Sequence, residues 1–236
     1  MIYTWATATD TGLVRDQNED SVAPRDMGME TGRFVVGVAD GMGGHRHGEV
    51  ASDIALEAAL ETDGDARQRV RAANRAVVEA GDDDPDLKGM GTTLTLAVFD
   101  GTDLEIGHVG DSRAYLLRGG ELEQLTTDHS LVAEMVARGD ITADEAAVHP
   151  YRSVITRAIG LQREVEIDRF HCRIEAGDRV LLCSDGLTGM VPAERILEIM
   201  VGEPNPTETV WSLIEAANEA GGVDTISVVV VAAGSD

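Results

Sequence analysis

FVVGVADG, residues 34–41, is an apolar run that stops at an aspartate followed by a tiny residue, and the chain repeats the device twice. IGHVGDS at 106–112 stops at Asp111, and VLLCSDG at 180–186 stops at Asp185. A fourth carboxylate, Asp224, opens the last apolar run, GGVDTISVVVV at 221–231. Such runs predict strands. Strand side chains alternate across two faces and strand ends meet at the rim of a sheet, so four acids far apart in sequence can converge there. Converging carboxylates repel unless cations stand between them. An oxygen-only donor set suits Mg2+ or Mn2+, whereas Zn2+ recruits His or Cys as well, so the pattern predicts a metal-dependent hydrolase.

Asp-Gly pairs also make ordinary turns. Asp100-Gly101 separates two strand-like runs and reads as a hairpin turn; Asp63-Gly64 reads as a break between two helical stretches. Asp40 differs, because Gly41, Met42, Gly43 and Gly44 follow it before a helix-like run begins. Glycines there let a backbone carbonyl or amide approach an ion closely. Taken singly, each aspartate fits a turn or cap; their joint arrangement points to a site.

The 236 residues suffice for a sizeable core, and no linker divides them, which predicts one domain over 1–236. The formal net charge of -24 argues against nucleic acid or an anionic membrane as partner, since both would be repelled. Lys88 is the only lysine, and Asp and Glu are abundant. Such a surface suits concentrated salt, where screening removes self-repulsion; an ordinary acidic protein from a GC-rich genome is the competing reading. Cys172 and Cys183 fall in apolar runs and no secretory leader is evident, so both are expected to be reduced core residues of a cytoplasmic, monomeric protein. No apolar stretch is long enough to cross a bilayer.

Strands are expected near 2–10, 33–39, 92–99, 103–109, 112–118, 165–173, 179–184 and 225–232. Tight turns such as Gly119-Gly120 favour antiparallel pairing. Helical periodicity marks 49–61, 66–80, 130–138, 193–200 and 207–220, with apolar stripes at Val70, Ala73, Val77 and Val78 and at Val210, Leu213, Ile214 and Ala217. Paired helices between strand clusters predict helices packed outside a strand core. The stretch HPYRSVITRAIG, 149–160, mixes β-branched and basic residues and reads as a flap or a loop. The acidic DDDPD run at 82–86 lacks the glycine and glutamate of a calcium loop and reads as a solvated loop.

TGLVRDQNEDS follows the first strand and crowds Arg15, Asn18, Glu19 and Asp20 together. A guanidinium binds phosphate through two parallel hydrogen bonds, so Arg15 is a candidate phosphate anchor; a surface salt bridge to Glu19 or Asp20 is the plainer reading. The motifs TGLVRDQNED, ADGMGGH, GTT at 91–93, VGDSRAY, TTDHS, TRAIG, LLCSDGL and GGVDTISVVVV, in that order, resemble the PP2C family of metal-dependent protein serine/threonine phosphatases in its compact bacterial and archaeal form.

The resemblance implies an α+β, four-layer α/β/β/α sandwich, two antiparallel sheets flanked by helix pairs, with two Mn2+ or Mg2+ ions in a cleft at one end. It implies that Asp40 bridges the ions, the carbonyl of Gly41 binds one, and Asp185 and Asp224 hold the other. Asp111 resembles the ligand of a third, weaker ion shared with Asp185. Glu19 and Asp20 match residues that orient metal-bound water, Arg15 matches the phosphate-binding arginine, and the flap corresponds to residues near 140–160. Two cations roughly 3.5 to 4 Å apart would turn a bridging water into hydroxide that attacks phosphorus.

No Cys-x5-Arg loop is present, and Cys183 lacks a basic neighbour, as direct attack requires. Thr225 replaces the asparagine that follows the last aspartate in many relatives. Met42 stands where the animal branch has a histidine, and His45 is a candidate acid for the leaving alkoxide, against metal-bound water in that role and a helix cap for His45. The expected activity is hydrolysis of phosphoserine and phosphothreonine on proteins that a serine/threonine kinase modifies. A catalytically idle metal- or phosphopeptide-binding regulator of the same fold is the alternative. The charge generates its own test: resistance to unfolding rises between dilute and molar KCl, and a flat profile removes the halophilic reading.

Overall fold

Burial on both strand faces sets the architecture. The computed structural model of the chain describes residues 1–42 and 47–235. Its strands are β1 (Ile2–Asp10), β2 (Asp20–Ala23), β3 (Gly28–Glu30), β4 (Phe34–Met42), β5 (Gly91–Thr92), β6 (Leu94–Asp100), β7 (Asp103–Val109), β8 (Arg113–Arg118), β9 (Glu121–Gln124), β10 (Asp168–Arg173), β11 (Arg179–Cys183) and β12 (Ile226–Gly234). One sheet runs β3-β1-β12-β11-β8-β9 and the other β10-β7-β6-β4-β2, with β5 on the end of β4; all pairings are antiparallel.

Helices α1 (Gly48–Glu61) and α2 (Ala66–Asp83) cover the second sheet, and α5 (Asp185–Thr188), α6 (Ala193–Gly202) and α7 (Pro206–Glu219) cover the first. Val70, Ala73 and Val77 of α2 pack in one outer layer and Val210, Leu213, Ile214 and Ala217 of α7 in the other, as their spacing predicts. Asp65 starts α2 by accepting a hydrogen bond from the Gln68 amide at 2.8 Å. The expected four-layer sandwich is therefore the observed one.

Strand parity sorts the core into three layers. On β12, Ile226, Val228 and Val230 face α5 to α7, while Val229 and Val231 face the opposite sheet. On β4, Val36 and Val38 face between the sheets, and Val35 and Ala39 face α1. A strand buried on both faces has to be apolar at nearly every position, which is why these runs are unbroken. The far end of the inter-sheet layer holds Tyr3, Trp5, Phe34 and Phe99, with Phe34 stacked on Phe99 at 4.7 Å and Trp5 on Phe34 at 5.2 Å.

Several boundaries differ from expectation. β4 continues through Asp40 and Gly41 to Met42 because Gly41 pairs with Thr92 of β5, so Asp40 lies within a strand and not after its end. β2, β3 and β9 were too short, at four residues or fewer, to leave a periodic signal. The acidic run is no open loop: Asp82 and Asp83 finish α2, and Pro85–Leu87 form one 3-10 turn capped by Asp84. Cys183 is buried, but Cys172 is only half-buried on β10, an edge strand with one covered face. Both thiols are free. The turns at Gly101, Gly119 and Gly120 take positive φ as hairpins need. Among the described residues no helix is long and apolar enough to cross a membrane.

The segment from α3 (Leu131–Arg138) through α4 (Ala143–Ala147) to Gly160 stands beside the sandwich and is tied back at both ends. Leu131 N–H donates to Val154 at 2.8 Å, Thr156 N–H to His129 at 2.8 Å, and Ile159 pairs with Thr92. His108 on β7 is fully buried, taking a hydrogen bond from Thr95 at 2.9 Å on Nδ1 and placing Nε2 3.2 Å from the Thr127 carbonyl. Burial, and then the neighbouring His129 ring, push its pKa down to about 3. The unfolded imidazole protonates near pH 6.5 while the folded one stays neutral, so its contribution is whole above about pH 6.5 and falls by about 1.4 kcal/mol per pH unit below it. His108→Gln, followed by urea denaturation, should lose stability less steeply than the parent between pH ~6.5 and ~4. Parallel pH profiles would remove His108 as the source.

Candidate metal centre

Towards one end of the sandwich the inter-sheet side chains turn from apolar to polar. On β4 the series is Val36, Val38, Asp40; on β2 it is Val22, Asp20; on β12 it is Val229, Ser227, continued by Thr225 just before the strand. Asp20 and Asp40 are direct cross-strand partners of equal parity, so their carboxyls stand side by side in the same layer. Thr93, Thr95, Ser112 and Ser184 complete a buried ring of hydroxyls beneath them.

That ring fixes the backbone of Asp40. Asp40 N–H donates to Thr93 Oγ1 at 2.9 Å, its carbonyl accepts from Thr93 N–H at 2.8 Å and Thr92 Oγ1 at 2.9 Å, and Thr93 Oγ1 lies 2.7 Å from Ser112 Oγ. Gly41 N–H donates to the Glu19 carbonyl at 3.1 Å. A Cβ on Gly41 would fall on the Gly48 and Glu19 carbonyls, and one on Gly186 would fall on the Thr225 carbonyl. The tiny residue after two of the aspartates is thus required by close backbone approach. Ser227 N–H donates to Ser184 Oγ at 2.9 Å, locking Asp185, the first residue of α5, beside the start of β12.

The acids converge. The Asp185 carboxyl hydrogen-bonds that of Asp40, and burial followed by Asp224 raises its pKa. Burial raises Asp40 well above the carboxylate range, reinforced by Asp20, Asp185, Asp111 and Asp224. Asp20 is raised to about 7 by burial, and Asp111 to about 8 by burial and then Asp185. Glu19 is raised by burial and by Glu49. Each shift has the sign expected when anions are crowded out of water, and a cation between them reverses it.

Two buried carboxylate oxygens, Asp20 Oδ2 and Asp111 Oδ1, have no hydrogen-bond partner, although buried polar atoms nearly always find one. Orphaned oxygens in an all-oxygen cluster are the donor chemistry of Mn2+ or Mg2+. The ligand set is not closed in advance: among the described residues no three His, Cys, Asp or Glu groups stand at the spacing of one ion's ligands. Asp224 shows why. Its Oδ1 is held by the Thr225 N–H at 2.9 Å and its Oδ2 by Arg15 Nη2 at 2.7 Å. Partners already in place draw individual carboxylates apart.

Arg15 therefore pairs with Asp224, not with Glu19 or Asp20, because the loop carrying it packs on residues 222–224: Leu13 N–H donates to Gly222 at 2.7 Å. Half of the Arg15 side chain stays exposed at the mouth. Thr225 supports two of the acids. Its backbone steadies Asp224, while its hydroxyl donates to Asp20 Oδ1 at 2.9 Å. His45 lies outside the described residues.

The sequence reading missed the hydroxyl ring, whose signal was a lone Ser or Thr inside an apolar run, as at Ser227 and Thr95. It also gave His129 no role. Gly110 N–H donates to His129 Nδ1 at 3.0 Å, leaving Nε2–H for Asp168 at 3.3 Å, and Arg157 donates to Asp168 at 2.9 Å. The turn that carries Asp111 is thereby tied to the end of the α3–α4 segment.

Known proteins resemble the chain in sequence and fold. The family model for Protein phosphatase 2C matches residues 15–212. Serine/threonine protein phosphatase PstP of Mycobacterium tuberculosis is 44% identical over 98% of the chain, which spans 45% of that relative's length. Serine/threonine phosphatase stp of Listeria monocytogenes is 39% identical over 94% of the chain and 93% of its own length. A crystal structure of the catalytic domain of PstP in complex with two manganese ions superposes with a TM-score of 0.87 at 42% identity, covering 99% of both chains. With the matched segment spanning most of the sequence and the sandwich shared throughout, the chain belongs to the protein phosphatase 2C family.

Proposed function

We propose that the chain is a Mn2+- or Mg2+-dependent protein serine/threonine phosphatase. The carrying observation is the cluster of Asp20, Asp40, Asp111 and Asp185, with two orphaned carboxylate oxygens, beside the exposed guanidinium of Arg15. The names and the manganese-bound relative support the same reading. The reading takes residues 1–236 as one catalytic domain with a flap near 140–160, acting as a cytoplasmic monomer on substrates of a serine/threonine kinase. The hydroxyl ring, kept intact beneath the acids, favours turnover over an idle regulator.

In this reading Asp40, the Gly41 carbonyl, Asp185 and Asp224 would hold two ions, and Glu19 with Asp20 would orient water beside them. Asp111, sharing its surroundings with Asp185, serves a third. Ions held there supply positive charge and activate water for attack on phosphorus. Arg15 exchanges its contact with Asp224 for two phosphate oxygens, a bidentate geometry that neutralises charge as it develops. Asp20 is fixed by Thr225 through Oδ1 and keeps Oδ2 free to orient a water by accepting its hydrogen. The ester P–O bond breaks, and the products are phosphate and the free serine or threonine hydroxyl. His45 remains a candidate donor to the leaving oxygen.

Hydrolysis of p-nitrophenyl phosphate with Mn2+ tests the proposal: the parent turns over, and Asp185→Asn loses about a hundredfold or more in kcat/KM. Metal bound with no turnover under any divalent ion sinks it. Calorimetry of Mn2+ binding gives a second check. Thr225→Val should weaken affinity roughly ten- to a hundredfold, because one support of Asp20 is removed, and Thr225→Ser should restore it.

A further inference from the structure

A cavity of about 820 Å³ opens directly from the carboxylate centre, with Asp111 and Asp185 forming part of its floor. Its opposite wall is apolar. Ala133 and Val136 of α3, Ala146 and Ala147 of α4, and Met190 and Pro192 before α6 line it. On α4, Ala143 and Ala147 lie one turn apart, so one helix face is turned into the cavity, yet no residue of α4 is buried. The same i, i+4 arrangement recurs on α3 with Ala133 and Ala137. A wall of short aliphatic side chains left open to solvent, inside a cavity of ligand-binding size, calls for an apolar occupant.

The charges on the floor narrow the choice. Asp111, Asp128 and Asp185 stand there, and Arg113 is taken up by Asp128, donating from Nε at 2.9 Å and from Nη2 at 2.7 Å. Arg152 is the remaining cation of the lining. An acidic side chain entering the cavity would lose its hydration against the methyl groups of that wall, with Arg152 the one cation of the lining not already paired to Asp128.

Resting on the phosphatase reading, we infer that this cavity is a specificity subsite for the substrate chain: it takes an aliphatic, uncharged side chain within three residues of the phosphorylated serine or threonine and rejects an acidic one. Because Asp185 belongs to the carboxylate centre and also lines this cavity, a peptide whose phosphate sits at that centre has its adjoining residues, each spanning about 3.4 Å, at the cavity. The occupant is thus a phosphopeptide with an aliphatic neighbour.

The test compares phosphothreonine peptides that carry Leu, Ser or Asp at each of the three positions on either side, using p-nitrophenyl phosphate as a substrate too small to reach the wall. The parent protein prefers Leu over Asp by roughly tenfold or more in kcat/KM at one position. Val136→Lys and Ala147→Lys, which replace the apolar wall with a cation, each bring that ratio to unity or below while p-nitrophenyl phosphate turnover stays within about twofold. Equal rates for Leu and Asp at every position, or a preference that survives both variants, overturn the subsite. If p-nitrophenyl phosphate is not hydrolysed at all, the phosphatase reading fails instead. The subsite is then judged by fluorescence anisotropy of the same peptides: Leu-selective binding lost in Val136→Lys upholds it, and indifferent binding overturns it.

Discussion

Everything at the site depends on strand parity held in register between two sheets. Asp40 faces the inter-sheet layer because Val36 and Val38 do, and Asp20 faces it because Val22 does. A slip of one residue in β4 would send Asp40 against α1 and bring Ala39 into the cleft. The apolar packing at one end of each strand therefore fixes the chemistry at the other. The aromatic cluster around Phe34 and Phe99 anchors that register at the end away from the acids. Burial of each large side chain there contributes on the order of 1.5–3 kcal/mol.

The opposite end is electrostatically unfavourable by itself. Five acids influence one another, burial raises Asp20, Asp40, Asp111 and Asp185 together, and among the described residues Arg15 is the cation paired directly into the group. The fold tolerates this because the hydroxyl ring hydrogen-bonds the backbone and one oxygen of Asp20, not because the charges are balanced. In the proposed function, divalent cations supply the positive charge that the described residues lack there. The arrangement stores a demand for positive charge in a rigid frame, a common way for a scaffold stable elsewhere to hold a reactive centre.

The sandwich was legible wherever burial on two faces makes a strand continuous, as in β6, β11 and β12, and wherever a helix carries an apolar stripe, as in α2 and α7. The carboxylates were legible because each interrupts or opens such a run. What escaped the sequence was pairwise geometry. That Arg15 meets Asp224, and that Thr225 turns its hydroxyl to Asp20, depends on how the loop at residues 11–15 packs on residues 222–224, for which no local pattern exists. Short strands such as β2 and β9 were invisible for a related reason: four residues give two side chains per face, too few to show a period.

The two tryptophans divide the molecule for optical work. Trp5 is stacked on Phe34, with its indole N–H donating to Asp26 at 3.0 Å, while Trp211 stands on the outer face of α7, more than half exposed. Excited indole in the first setting reports the integrity of the hydrophobic pole, and in the second the solvent around an outer helix. The acidic pole carries no such fluorophore, so intrinsic emission follows loss of the framework and is silent towards events among the carboxylates.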